Sequence, residues 1–513
     1  MTVADIVPDR SGVSSALADP EIAPGDRQEP LFFVTASGGG EEEFEELCGR
    51  PLEGGVQVWG LPGIDAESLT SIEQLATKHL DAIRRVQPQG PYRLGGVGSG
   101  GLVAYEMAFK LIGEDQVVDF LGLVNSRRPQ NHPDSQKTMA GGADVCNAYC
   151  PQPLPITVHL FAAHDTAEAL SRDWAALAGC KLSTEIIPAG PASVLPTAIV
   201  ERLAQTMRDG LKAKGSRADT PESKYSALIT IQAGNRAEPP VFCVPGAGAN
   251  VTSLMSLAEM LGEDIAVHGL QPRGMDKMLV PHSTLAAAAR AYIRDMREVE
   301  RRGPYRLLGH SFGGWVVFEM ACQLIEMGQR VDGVVLIDTQ PPTKRVESHY
   351  SGRVDILTQL IRILEQSSER CLDLTRAELE TLAYEAQLIR LMASMKAAGL
   401  LPQATKLDVI RGLVRVFSVN VNTVYAPTGR FAGEMLLVQA RDETVCRDVE
   451  DTDELDNDSA AEVWRQYAER VVQAKTPGNH MTMLKKPNVD EIAAHVRAFW
   501  GRSMPDAGSP GRR

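Results

Sequence analysis

The pentad Gly309-His310-Ser311-Phe312-Gly313 sets a serine between two glycines, after the apolar run "YRLL" and before the helix-like run "WVVFEMACQL". A serine hydroxyl becomes an accessible nucleophile where the chain turns sharply from strand into helix. Gly309 and Gly313 suit that turn because side chains there would collide. The Phe312 backbone N–H, at the helix start, can donate to an oxyanion. A second donor is expected from the loop "VPGAGAN" after the first strand, at Gly246 or Ala247. The serine needs a base, and the base needs an orienting acid. His480, in "TPGNHMTML", follows a strand-like segment and precedes the helix-like "VDEIAAHVRAFW". It is the candidate base, while His310 is read as shaping the turn. Two acids compete for the third place: Asp338, ending "GVVLID", and Asp442, in "QARDE". Both end strands, and ligands sit at the carboxyl ends of parallel strands. The residues themselves leave that choice open.

The elements that must position these groups occur twice. "GPYRL" stands at 90 and again at 303, and "LFFVTASGGG" (31–40) resembles "VFCVPGAGAN" (241–250). From "GPYRL" onward the two copies run in register without a gap through "FLGLVNSRRP" and "GVVLIDTQPP". This is a duplicated domain, not a short-period solenoid. Each copy alternates β-rich runs with segments of helical period, such as "LTSIEQLATKHLDAIRRVQ" and "TLAAAARAYIRDMREVE", which predicts a mostly parallel sheet covered by helices. The polar stretch 213–225 reads as a linker between a first domain at 30–212 and a second at 226–503. Residues 1–29 and 504–513 read as disordered ends. The second copy carries a long helical insertion, about 343–430, that the first lacks.

In the first copy the constant register puts Gly98 at the serine position and Asn125 at the Asp338 position. "IPAGPASVL" corresponds to the histidine loop and puts Pro191 at His480. Ser99 comes one residue late, so its side chain should not project as a nucleophile does. The first copy is therefore expected to be catalytically dead, while its glycines and apolar residues keep the packing of the turn.

At 513 residues with 43% apolar and 23% charged residues, the chain reads as a globular protein of two or more domains. The formal net charge of −14 argues against a nucleic-acid binder or a basic membrane-surface protein. The N-terminus lacks the apolar core of a signal peptide, and no apolar run is long enough to span a bilayer. The eight cysteines are scattered, which fits reduced thiols in a cytoplasmic protein; Cys146 and Cys150 have no matching second pair for a metal. No bound cofactor or metal is expected. The acidic run 442–458 lacks regular ligand spacing and reads as solubilising.

Residues 224–503 resemble the type I, chain-terminating thioesterase domains of nonribosomal peptide and polyketide synthases. The resemblance rests on "PPVFCVPGAG", "GPYRLLGHSFGGWVVFEMA", "VVLIDTQPP" and "GNHMTML". Residues 30–212 resemble the same family more weakly. The resemblance implies two tandem α/β-hydrolase domains, the second bearing the insertion as a lid over the acyl site. It also implies that Asp338 is the acid, since in this family the acid follows the strand after the nucleophile helix. The implied reaction moves an acyl or peptidyl chain from the phosphopantetheine thioester of a carrier protein onto Ser311, with His480 as base, and then to water, an internal nucleophile or a small acceptor. If the chain is whole, that carrier protein meets it in trans, and the basic stretches 125–130 and 465–477 are candidate docking points. The competing readings are a carboxylester or lipid hydrolase of the same fold and a non-catalytic scaffold.

Overall fold

The computed structural model describes residues 30–35, 56–64, 71–129, 149–175, 181–187, 201–207, 225–235, 238–275, 279–342, 352–427, 429–441 and 457–502, with the single residues 146, 177 and 209. The two sequence copies form two sheets.

The first sheet has six strands: β1 (Leu31–Val34), β2 (Val58–Leu61), β3 (Tyr92–Val97), β4 (Val118–Val124), β5 (Thr157–Ala163) and β6 (Lys181–Ile187). They lie in the order β2-β1-β3-β4-β5-β6, and all pairs are parallel. Helices α1 (Ile72–Val86), α2 (Ser99–Gly113) and α3 (Ala167–Ala175) belong to this copy.

The second sheet has seven strands: β7 (Leu228–Gln232), β8 (Val241–Val244), β9 (Val267–Leu270), β10 (Tyr305–His310), β11 (Val331–Ile337), β12 (Phe431–Ala440) and β13 (Ala468–Thr476). Their order is β13-β12-β11-β10-β8-β9-β7. Apart from β7, which pairs antiparallel with β9, this repeats the strand order of the first sheet. Its helices are α4 (Met255–Leu261), α5 (Leu285–Val299), α6 (Phe312–Glu326), α11 (Asn457–Tyr467) and α12 (Asn488–Arg502), with α7 (Arg353–Ser368), α8 (Arg376–Glu380), α9 (Tyr384–Ala397) and α10 (Leu407–Val421) between β11 and β12.

The central strands are apolar because helices cover both faces. Every residue of β10 is buried, as are all four of β8. The helices start alike in both copies. Ser71 Oγ accepts from Gln74 N at 3.2 Å to cap α1, and Thr284 Oγ1 accepts from Ala287 N at 3.2 Å to cap α5. Each cap contributes about 1 kcal/mol by satisfying an otherwise orphaned amide. Helices α7 to α10 build a separate apolar core from Leu357, Leu360, Leu379, Leu388, Leu391, Ile410 and Phe417.

The expected insertion thus begins, among the described residues, at α7 and ends with α10. The linker 213–225, except Tyr225, and both expected disordered ends lie outside the described residues. So does most of the stretch between β4 and β5, where the first copy is expected to lack the insertion.

Candidate active site

Ser311 joins β10 to α6 with φ 54° and ψ −124°, a conformation a side-chain-bearing residue rarely takes. Neighbouring backbone holds it there. Ser311 N donates to Ile337 O at 2.8 Å, Gly314 N donates back to Ser311 O at 2.9 Å, and Thr339 Oγ1 donates to Ser311 O at 3.0 Å. The flanking glycines are required by close approach. A Cβ on Gly309 would stand 2.3 Å from Gly313 O, and one on Gly313 would stand 2.3 Å from Val244 O.

Asp338 follows β11 directly, at φ 47°, and its N–H donates to Val438 O at 2.8 Å. Its Oδ1 accepts from Ala440 N at 3.0 Å and its Oδ2 lies 2.7 Å from His480 Nδ1. Burial alone would raise this carboxyl, but the His480 hydrogen bond and charge, with the Ala440 N–H, bring it below the ordinary aspartate value. An ionised carboxylate only accepts, so His480 Nδ1 carries the proton. The lone pair of the neutral ring is then on Nε2, the atom a base uses.

His480 is presented by a loop whose shape is set by its neighbours. Gly478 has φ 87°, and Asn479 Oδ1 accepts from Met481 N at 3.0 Å and Thr482 N at 3.1 Å. The short side chain of Asn479 thereby makes the local turn that "GNH" signalled.

Two contacts escape a sequence reading, one of them made by His310, expected only to shape the turn. The His310 ring stacks on His480, centroids 5.0 Å apart, and its Nε2 lies 3.3 Å from His480 O. A carbonyl only accepts, so His310 carries its proton on Nε2. Burial first, and then the charge of His480, lower the His310 pKa to about 3, so the ring stays neutral. The other contact is made by Trp464, whose Nε1 donates to Thr339 O at 3.0 Å and fixes the residue that holds Ser311 O. Thr339 and Trp464 lie far apart in sequence. The first copy repeats the arrangement: Trp174 Nε1 donates to Ser126 O at 2.9 Å.

Of the expected oxyanion residues, Phe312 opens α6. Gly246 lies against the serine: a Cβ on it would stand 3.3 Å from Ser311 Cβ and 3.2 Å from His310 Nδ1. Ala247 packs against the core of the helical insertion. Asp442, the rival acid, lies outside the described residues.

The first copy keeps the geometry and lacks the groups. Gly98 has φ 56° and ψ −121°, within a few degrees of Ser311. Gly98 N donates to Val124 O at 2.9 Å, Asn125 stands at φ 46°, and Ala163 N donates to Asn125 Oδ1 at 3.3 Å. Ser99 is the first residue of α2 and takes the place of Phe312, not of Ser311. Pro191 lies outside the described residues.

A family model described as thioesterase domain matches the chain twice, over residues 29–201 and 239–500. The chain belongs to the thioesterase domain family. Among similar proteins, indigoidine synthase of Streptomyces lavendulae is 32% identical over 156 residues, 30% of this chain and 11% of that protein. Chondramide synthase cmdD of Chondromyces crocatus is 26% identical over 312 residues, 60% of this chain and 8% of that protein. A dimodular nonribosomal peptide synthase of Bacillus subtilis (strain 168) is 40% identical over 120 residues, 23% of this chain and 5% of that protein. The thioesterase-family chain thus spans 5% to 11% of the length of these relatives. Among solved structures, a holo four-domain nonribosomal peptide synthetase bound to AMP and glycine is 24% identical, with a TM-score of 0.48, over 58% of this chain and 21% of that one. The RedJ thioesterase from the prodiginine pathway of Streptomyces coelicolor is 20% identical, with a TM-score of 0.34, over 52% of this chain and 95% of that one.

The basic stretch 465–477 is fully engaged in ion pairs. Arg465 pairs with Glu462, Arg470 with Glu434 at 2.6 Å, and Lys475 with Asp458 at 3.9 Å. In 125–130, Arg128 donates to Asp173 O at 3.0 Å. Among the described residues no helix is long and apolar enough to cross a membrane, and no group of His, Cys, Asp and Glu could hold a metal.

Proposed function

We propose that the second thioesterase domain transfers an acyl or peptidyl chain from a carrier-protein phosphopantetheine thioester through an acyl-Ser311 intermediate. His480 Nε2 takes the serine proton as Ser311 Oγ attacks the thioester carbonyl. Asp338 holds the ring and stabilises the imidazolium that forms. The backbone N–H groups of Phe312 and of Gly246 or Ala247 receive the developing oxyanion. The pantetheine thiolate leaves and takes up the proton from His480. In the second half-reaction His480 deprotonates water, an internal hydroxyl or amine, or a separate acceptor, which attacks the acyl-serine. Helices α7 to α10 act as a lid that excludes water from the acyl chain. The carrier protein is met in trans, in the cytoplasm, where the cysteines stay reduced.

The observation that carries this reading is the 2.7 Å contact between His480 Nδ1 and Asp338 Oδ2 beside the strained serine. In the first copy the elbow geometry persists with glycine and asparagine in the serine and acid positions, so that domain is read as non-catalytic. Intact-protein mass after brief exposure to a panel of acyl-pantetheine thioesters tests the proposal. A mass gain equal to the acyl group, absent in Ser311→Ala, is expected. No gain with any thioester, alongside turnover of p-nitrophenyl esters, would favour the carboxylester hydrolase instead.

A further inference from the structure

The segment between β9 and α5 is the meeting point of three parts of the molecule. On one side it touches the first copy. Ser283 N donates to Gly113 O at 3.1 Å and Ser283 Oγ donates to Lys110 O at 2.7 Å. The Arg273 guanidinium pairs with Asp115, and its Nη2 lies 3.3 Å from both Ile112 O and Gly113 O. Those carbonyls close the C-terminal end of α2, where the helix dipole favours a cation. Arg273 Nε donates to Val280 O at 2.7 Å, so one side chain ties the segment to itself and to the first copy.

The approach is close enough to dictate a residue. A Cβ on Gly113 would stand 2.7 Å from Ser283 Oγ and 2.8 Å from Pro281 O. The same place in the second copy is Glu326, an exposed residue.

On its other side the segment seats the insertion. Arg415 of α10 is buried and donates twice to Gly274 O, at 3.2 and 2.7 Å. Gly412 of α10 approaches Met275 so closely that a Cβ would stand 2.2 Å from Met275 O. Between these contacts lies a small cavity of about 20 Å³ that reaches Phe312, the residue after the serine. His282, Tyr292, Pro245, Val416 and Asn420 also line it.

We propose that the first copy is a positioning element for the second: Gly113 and Asp115 fix the segment that seats α10, and with it the helical lid over the acyl chain. This rests on the reading of Ser311 as an acyl acceptor. It gives the non-catalytic domain a reason to stay folded without chemistry of its own.

The test uses the full chain and two variants. Asp115→Asn removes the charge while tolerating the positive φ at that position. Gly113→Glu installs the second copy's residue and pushes Ser283 away. Three readouts are taken: amide exchange of peptides across 279–284, kcat and KM with decanoyl- and acetyl-pantetheine, and the rate of Ser311 labelling by a fluorophosphonate. Exchange is expected to accelerate, and KM for the decanoyl thioester to rise about fivefold, while kcat and labelling stay within about twofold of wild type. Unchanged exchange in both folded variants would overturn the inference. So would faster exchange with unchanged KM, or a parallel fall of kcat and labelling, which signals general loss of the site. If the wild type is not labelled at all, the reading of Ser311 fails, while the exchange data still decide whether the first copy holds the segment.

Discussion

Ser311 and Gly98 share one backbone conformation, yet only glycine takes it without strain. The serine therefore holds a stability cost of about 1–3 kcal/mol, partly offset by the extra chain entropy glycine has when unfolded. Ser311→Gly should raise the stability of the second domain by about 1 kcal/mol while abolishing acylation. Thermal unfolding and intact mass measure the two effects; a lower melting temperature would mean that the elbow is unstrained. Asp338→Asn gives the second copy the residue the first has at Asn125. Asn can still accept the Ala440 N–H, so the backbone should hold, but the charge that fixes the His480 tautomer is gone. Turnover of a pantetheine thioester should fall by about a thousandfold or more, with little change in KM. A loss under tenfold would shift the acid's role toward Asp442. In the wild type the depressed Asp338 pKa keeps this carboxylate charged across neutral pH. Its contribution to stability is present above the ordinary aspartate value and is lost only as pH falls through its lower folded value.

Between neighbouring elements the copies share a tether that the constant register does not reveal. Tyr149 Oη donates to Glu106 of α2 at 2.9 Å, and Tyr425 Oη donates to Glu319 of α6 at 2.9 Å. Each tyrosine lies in the segment entering the fifth strand of its core sheet, so the bond ties that segment to the helix after the elbow. In the first copy, burial raises the Glu106 pKa to about 7; Lys110 and the Tyr149 hydrogen bond pull against this, and Glu73 adds to it. The folded chain then keeps the proton up to about pH 7, whereas the unfolded chain releases it near 4.5. Stability should fall as pH rises through that window and level off above it, by about 3 kcal/mol for this group. Glu106→Gln keeps an acceptor for Tyr149 and removes the ionisation. Its melting temperature should change less than wild type between pH 5 and 8 and exceed it at pH 8. Parallel pH profiles for the two proteins would show that Glu106 is not held neutral.

Across the whole molecule, two elbows of like geometry, only one of which carries a serine, predict unequal chemistry if the proposed acyl-Ser311 reading holds. A fluorophosphonate should add one equivalent per chain, on the peptide containing Ser311 and not on that containing Ser99. Two equivalents, or labelling at Ser99, would show that the first domain retains a nucleophile. The duplicated strand order gives a physical reason for the first domain to keep its fold without a serine at the elbow. The glycines at 96 and 100 meet backbone at the same short range as Gly309 and Gly313, so packing selects them whether or not a serine stands between.

The sequence by itself determined the repeat, the elbow at Ser311, the loop that presents His480 and the parallel α/β layout. These are local or periodic signals: glycine spacing, strand–helix alternation and a fixed register report directly on backbone conformation. It also narrowed the acid to Asp338 and Asp442, but two strand ends look alike until the sheet order is known. Only the tertiary structure brought the Asp338 carboxylate to 2.7 Å from His480. Only there does His310 stack on His480, and Trp464 reach Thr339 across 125 positions. The contacts of Gly113 and Asp115 with Ser283 and Arg273 are of the same kind. They join residues about 160 to 170 positions apart through surfaces that have no period, because packing between finished domains is set by shape and by where charges land once each sheet has formed.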